Sequence, residues 1–311
     1  MAEIVISEFM DESAVESLKK EFSVLYDKTL VDRPEDLEAA VSAPDCRAII
    51  VRNRTQVRGK LLASAAHLVA VGRLGVGLDN IDVPACKERG ISVLPATGAN
   101  SVAVAEYVMG SLFVLARGVF QNSAAVAHGD WPREKMNKGG EIAGKTLGCI
   151  GFGDIARNVC VRARACGMTV IASDPFLPTD SPVWKEFGAT PVTLEELLAQ
   201  SDAVTLHIPL TEGTRHLINA ERLASMKKGA ILINSARGGI VDEDALADAL
   251  VSGHLAGAAM DVFSPEPLPA GSKLGEAPNC ILTPHIAGLT RESNTRVSSV
   301  TAERVAAALK A

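Results

Sequence analysis

The sequence has no Cys-x-x-Cys pair and no histidines at zinc-ligand spacing, although it contains six cysteines. A zinc ribbon and a dithiol redox centre are therefore not expected, and neither is a catalytic metal. The thiols at 46, 86, 149, 160, 166 and 280 read as reduced core or surface residues of a cytoplasmic protein. Positive charge is not in excess either. The net charge is −6, with both signs spread along the chain, which argues against nucleic acid as the partner because phosphate binding needs a basic face. A membrane-spanning run is missing: the most apolar long segment, residues 102–120, carries Glu106 and Arg117 and reads as a buried helix. The acid-flanked apolar run at residues 4–6 is too short for a signal peptide. There is no internal repeat or low-complexity tract. What the chain does have is 47% apolar against 22% charged residues over 311 positions, enough for a sizeable core and, at about 150 residues each, two domains.

Short β-rich runs alternate with helical spacing throughout. Residues 4–6, 23–26, 48–51, 68–71 and 91–94 are predicted strands, with helices over 11–20 and 35–41 between them. Residues 101–127 are predicted to form one long helix. A second series of strands follows at 147–150, 168–172, 203–208, 230–234, 257–262 and 280–283, and a last helix at 291–309 has no strand after it. Continuous apolar strands alternating with helices predict an α/β fold with parallel sheets covered on both faces. The last helix is expected to pack back on the first domain and make it discontinuous.

Gly151-Phe152-Gly153-Asp154-Ile155-Ala156 follows the predicted strand 147–150 and opens a helix, which is the context in which G-x-G-x-x-G/A holds a dinucleotide. Gly151 permits the tight turn, Gly153 lets the pyrophosphate approach, and helix N–H groups receive it. The same glycines also fit a packed strand–helix turn with no ligand. Asp174, at the end of the next strand, stands where a carboxylate takes the adenosine ribose hydroxyls and repels a 2′-phosphate, so NAD is expected rather than NADP. Three further segments, Asn234-Ser235-Ala236-Arg237-Gly238, Asp261-Val262-Phe263-Ser264-Pro265-Glu266-Pro267 and Thr283-Pro284-His285-Ile286-Ala287-Gly288, each set a charged or titratable side chain beside turn residues after an apolar run. Arginine, carboxylate and imidazole beside a nicotinamide suit hydride transfer to a 2-oxo acid.

With Gly75-Val76-Gly77-Leu78-Asp79-Asn80-Ile81-Asp82, Ser101-Val102-Ala103-Val104-Ala105-Glu106 and His207-Ile208-Pro209-Leu210-Thr211, these segments span nearly the whole chain. In this combination the chain resembles the D-isomer-specific 2-hydroxyacid dehydrogenase family, which includes 3-phosphoglycerate dehydrogenase. The resemblance implies two Rossmann-like domains with the active site in the cleft between them. One is a discontinuous flavodoxin-like substrate domain of residues 1–98 and 288–311, and the other a doubly wound NAD-binding domain of residues 99–287. It also implies a homodimer or homotetramer. His285 would be the general acid/base, Glu266 would orient its imidazole, and Arg237 would hold the substrate carboxylate and polarise the 2-carbonyl. Gly75, Val76 and Gly77 would offer backbone N–H groups to that carboxylate. Asp261 would bind the nicotinamide amide, Val104 would lie near the ring, and His207, Pro209, Thr214, Ser235 and Ala236 would line the cofactor site. Arg52, Asn53, Arg54 and Arg73 suggest a substrate with a second anion, as in 3-phosphoglycerate or sulfolactate; solvated surface arginines are the bland alternative. Glyoxylate or hydroxypyruvate reduction is the smaller-substrate reading. A non-enzymatic NAD-sensing corepressor of the same fold is the remote one.

Overall fold

In the computed structural model, which describes residues 2–311, the chain divides into two compact units: Met1–Asn100 with Leu289–Ala311, and Ser101–Gly288. The first unit holds a five-stranded parallel sheet of β1 (Ile4–Ile6), β2 (Val24–Tyr26), β3 (Ala48–Val51), β4 (Ala70–Arg73) and β5 (Ser92–Pro95), in the order β2-β1-β3-β4-β5. This is a flavodoxin-like order. Its central strands are short, wholly buried apolar runs such as Ala-Ile-Ile-Val in β3, which fit a sheet covered on both faces. The helix Arg291–Lys310 belongs to this unit. Its N-cap is the Thr290 hydroxyl, which accepts the Ser293 N–H, and it buries Val297, Val305 and Leu309 in the same apolar cluster as Ile4, Ile6 and Ile50. Asp11 at the start of the helix Glu12–Lys19 donates its N–H to Ser298 Oγ at 3.0 Å.

The second unit carries seven parallel strands: β6 (Thr146–Ile150), β7 (Thr169–Ser173), β8 (Thr190–Pro191), β9 (Ala203–Leu206), β10 (Ile231–Asn234), β11 (Gly257–Met260) and β12 (Cys280–Leu282). Their order is β12-β11-β10-β9-β6-β7-β8. Read from the edge β8, this is the doubly wound dinucleotide-binding order with one added strand. The order reverses between β6 and β9, and in such sheets ligands bind beyond the carboxyl ends of the strands at that switch point. The helix Ser101–Arg117 buries Ala105, Val108, Met109, Leu112 and Leu115 in the core on one face of this sheet.

Two sequence expectations are corrected. The single helix predicted over 101–127 ends at Arg117, because Gly118 adopts the left-handed φ of +61° that an α-helix cannot continue through; a short 3₁₀ turn, Phe120–Asn122, and a separate helix, Ser123–Ala127, follow. The strand predicted at 68–71 lies at Ala70–Arg73, in parallel register with Ala48–Val51, so that Arg73 is a strand residue and is buried. Among the described residues, no helix is long and apolar enough to cross a membrane, and no cluster of three or more His, Cys, Asp or Glu could hold a metal ion.

Candidate active site

The turn after β6 is built around Gly151. Its φ is +84°, and a Cβ there would stand 2.6 Å from the His207 carbonyl oxygen, so backbone from the end of β9 lies directly against the glycine. Phe152 points into the core and stacks on Trp184 at 4.9 Å. The helix Asp154–Ala165 then begins at Gly153, which supplies no side-chain cap, leaving helix N–H groups for another acceptor. Open space surrounds the position of a Gly153 Cβ. Asp154 is exposed in the first turn, while Ile155 packs on the core. Asp174 follows β7; one carboxylate oxygen accepts the Phe152 N–H at 2.9 Å and the other the Phe176 N–H at 2.9 Å. The acid thus stands beside the glycine turn and remains half-buried.

His207 donates its backbone N–H to Ile150 O at 2.8 Å, and its Nε2 lies 3.0 Å from Thr205 Oγ1. Burial pushes its imidazole down to about 3, so the ring is neutral near pH 7. Pro209 is exposed; its carbonyl accepts from the Thr214 hydroxyl at 2.7 Å, and that hydroxyl in turn accepts the Thr211 N–H. Thr214 therefore holds its own loop. Val104 is only 4% exposed. Ser235 follows β10, and its buried Oγ has no hydrogen-bond partner among the described residues. The glycine turn, the uncapped helix start, Asp174 and this orphaned hydroxyl fit an adenine dinucleotide.

Arg237 sits three residues past β10. The wholly buried side chain of Asn234 shapes the turn: its Nδ2 donates to Arg237 O and its Oδ1 accepts the N–H of Ala236, both at 3.0 Å. Arg237 Nη1 donates to Ala236 O at 2.6 Å. A Cβ on Gly238 would collide with the Phe263 carbonyl, so the arginine turn is seated on the loop that carries Glu266. That loop contains two cis peptide bonds, Ser264–Pro265 and Glu266–Pro267. Ser264 donates its N–H to Glu243 at 2.8 Å, and burial pushes the Glu243 carboxyl above its ordinary range. Glu266 accepts the Phe263 N–H with one oxygen, at 3.1 Å, and faces His285 Nδ1 with the other, at 2.9 Å. An ionised carboxylate only accepts, so Nδ1 carries a proton and Nε2 is left as the nitrogen that exchanges one.

His285 has a φ of +54°, a left-handed conformation that costs a residue with a Cβ roughly 1 kcal/mol. Asp261, just past β11 and 1% exposed, holds it there. The Asp261 carbonyl accepts the His285 N–H at 2.8 Å; its carboxylate accepts the Thr283 hydroxyl at 2.6 Å and the N–H groups of Ile286 and Ala287 at 2.8 Å each. Thus the acid expected at the nicotinamide amide is first a clamp on the histidine turn.

The remaining candidates lie in the first unit. Glu8, 4% exposed, accepts the backbone N–H groups of Arg52, Thr55 and Arg54 at 2.8, 3.0 and 3.1 Å and so fixes the turn after β3. The Arg52 guanidinium donates to Asn294 Oδ1 at 2.6 Å and lies 5.4 Å over the Phe9 ring. Asn53 and Arg54 are exposed, and Arg54 pairs with Asp32. Arg73 donates to Leu74 O at 2.7 Å and occupies the space a Cβ on Gly75 would need, so it braces the Gly75 turn. Val76 is exposed and Gly77 half-buried. Glu8, Glu243, Thr283 and Tyr107, whose hydroxyl meets that of Thr283, were not singled out from sequence, because each acts on residues distant in the chain.

A family model described as the NAD binding domain of D-isomer specific 2-hydroxyacid dehydrogenase matches residues 109–287. The chain is 53% identical over 309 residues to an (S)-sulfolactate dehydrogenase of Chromohalobacter salexigens, covering 99% of each protein. It is 40% identical over 311 residues to a D-3-phosphoglycerate dehydrogenase of Methanocaldococcus jannaschii, covering all of this chain and 58% of that one. Among solved structures, a glyoxylate reductase from Paecilomyes thermophila superposes with a TM-score of 0.87 at 30% identity, over 99% of this chain and 95% of that one.

Proposed function

Because the chain belongs to the D-isomer-specific 2-hydroxyacid dehydrogenase family and is an NAD-dependent oxidoreductase, we propose that it interconverts sulfolactate, or a similar 2-hydroxy acid with a second anion, and the 2-oxo acid. The observation that carries the chemistry is the Glu266–His285 couple at 2.9 Å, in the same unit as Arg237 and the glycine turn. NAD, when bound, supplies the nicotinamide carbon that exchanges a hydride with C2 of the substrate. Gly151, Gly153 and the start of the helix Asp154–Ala165 hold the pyrophosphate, Asp174 takes the ribose hydroxyls and disfavours a 2′-phosphate, and Ser235 Oγ gains a partner. His285 Nε2 gives a proton to the 2-oxygen during reduction and removes it during oxidation, while Glu266 keeps Nδ1–H fixed. Arg237 pairs with the substrate carboxylate and polarises the carbonyl through its rigid donor fork.

Substrate selection is assigned to the unit Met1–Asn100 with Leu289–Ala311. Gly75, Val76 and Gly77 offer N–H groups to the substrate carboxylate, and the turn clamped by Glu8 presents Arg54 to the far anion. Arg52 and Arg73, whose guanidinium groups are engaged with Asn294 and the Gly75 turn, support that face. The relative's (S) label agrees with a D-type reaction: the sulfomethyl carbon outranks the carboxyl in naming, so (S)-sulfolactate has the handedness of D-lactate. Exposed Phe113, Phe120, Val126 and Trp131 support a homodimer or homotetramer, and six unpaired thiols support a reducing cytoplasm.

The test is NADH oxidation across sulfopyruvate, 3-phosphohydroxypyruvate, hydroxypyruvate and glyoxylate. The highest kcat/KM belongs to sulfopyruvate. Preference for glyoxylate or hydroxypyruvate would replace this reading with the reductase of smaller substrates, which the likeness to a glyoxylate reductase favours.

A further inference from the structure

One of the three donors on the Asp261 carboxylate leads away from the histidine turn. Thr283 Oγ1 donates to Asp261 Oδ1 at 2.6 Å, and Tyr107 Oη lies 2.7 Å from Thr283 Oγ1. A threonine hydroxyl has a single proton; because that proton goes to the carboxylate, the Tyr107 hydroxyl is the donor in its own contact. The donors converge on the Asp261 carboxylate from two sides: Tyr107, on the helix Ser101–Arg117, through Thr283 on one, and the N–H groups of Ile286 and Ala287, which follow His285, on the other. Donation from Tyr107 polarises the Thr283 hydroxyl and makes it a stronger donor to Asp261 Oδ1, so the far hydroxyl tightens the bond that fixes the carboxylate. Burial pushes the Tyr107 phenol above its ordinary range, which keeps it protonated as that donation requires. His285 cannot hold its left-handed backbone through intrinsic preference, so the turn depends on this acceptor.

We propose that Tyr107 and Thr283 are positioning residues for the dehydrogenase reaction: their hydroxyl groups lock the Asp261 carboxylate in the orientation that keeps His285 facing Glu266 and the substrate. The inference rests on the reading of His285 as the proton-transfer group. The bland role for Tyr107 is ring packing, since the residue lies half-buried against the core of its unit. The two roles separate cleanly, because Tyr107→Phe keeps the ring and removes only the hydroxyl.

The full chain is assayed with NADH and the 2-oxo acid that wild type reduces best, and NADH affinity is measured by fluorescence titration. Thr283→Val lowers kcat about tenfold, the scale of losing one hydrogen bond to a charged group, while Thr283→Ser stays within about twofold of wild type. Tyr107→Phe lowers kcat about threefold, a weaker effect because it acts one bond further away. The double variant Tyr107→Phe/Thr283→Val is no slower than Thr283→Val alone, because Tyr107 acts on the carboxylate only through Thr283. NADH affinity is unchanged in all four. Wild-type kcat in both Tyr107→Phe and Thr283→Val, or losses that multiply in the double variant, would overturn the proposal. If Thr283→Val does not fold, Tyr107→Phe alone decides it. A wild type that reduces no 2-oxo acid removes the dehydrogenase reading beneath the proposal, whereas an active wild type with unaffected variants removes only the proposal.

Discussion

Asp261→Asn keeps the shape of a buried side chain while changing what it can accept. The carboxylate serves two donors with Oδ1, Thr283 Oγ1 and the Ile286 N–H, and one with Oδ2, the Ala287 N–H. An amide has one accepting oxygen and one donating nitrogen. Its better flip keeps the oxygen at the Oδ1 side and turns the NH₂ toward the Ala287 N–H. One buried N–H then loses its acceptor, at about 1–3 kcal/mol, and the two surviving bonds lose the help of the charge, roughly 1 kcal/mol together, for a sum of about 2–4 kcal/mol. In a domain the size of Ser101–Gly288, where each kcal/mol moves Tm by roughly 2–4 °C, the midpoint falls by roughly 4–16 °C. The released turn also leaves His285 free to abandon its φ of +54°, so kcat falls about tenfold or more. Differential scanning calorimetry and steady-state NADH oxidation read the two effects. A variant with wild-type Tm and wild-type kcat would refute the claim that Asp261 holds the histidine turn.

Gly151→Ala places a methyl 2.6 Å from the His207 carbonyl at a left-handed φ, so NADH affinity falls about tenfold or more by fluorescence titration; an unchanged Kd would show that this turn does not cradle the cofactor. His207 is held neutral in the fold, with its imidazole lowered from 6.5 to about 3. Below the unfolded value the unfolded chain binds the extra proton, so stability drops as pH falls from about 6.5 toward 3, by up to about 1.4 kcal/mol per pH unit. Urea unfolding of His207→Gln should show that slope reduced by about one proton, and an identical slope would contradict the assignment. Arg54→Ala is expected to lower kcat/KM by roughly tenfold to a hundredfold on sulfopyruvate while sparing glyoxylate, since a charge-assisted contact to the far anion is lost. Equal losses on both substrates would reject selective recognition of that anion.

The sheets were legible because their strands are short apolar runs bounded by turns, and Ala48–Val51 and Ile231–Asn234 lie within a residue of where composition places them. The helix over 101–127 was overextended because apolar spacing continues past Gly118, and a glycine within a helical pattern does not announce a positive φ. Thr190–Pro191 is two residues long and carries too little pattern to be read as a strand. In the candidate site, the turn segments after apolar runs brought out Glu266 and His285 as candidates, and the family resemblance implied that they are partners. Both were silent on what holds them, because Glu8 acts on a turn more than forty residues later and Tyr107 meets Thr283 across 176 positions. Side chains that clamp others carry no local signature. For Asp261 the family resemblance implied a ligand contact, and the structure adds burial with three donors that clamp the histidine turn, which the sequence does not show.

The central claim is that His285, aligned by Glu266, moves the proton that accompanies hydride transfer. Turnover and NADH affinity of His285→Ala test it together. The account predicts that kcat falls by about 10²–10⁴-fold while the NADH Kd stays at its wild-type value. A variant that binds NADH normally and reduces its 2-oxo acid at near-normal rate would contradict it.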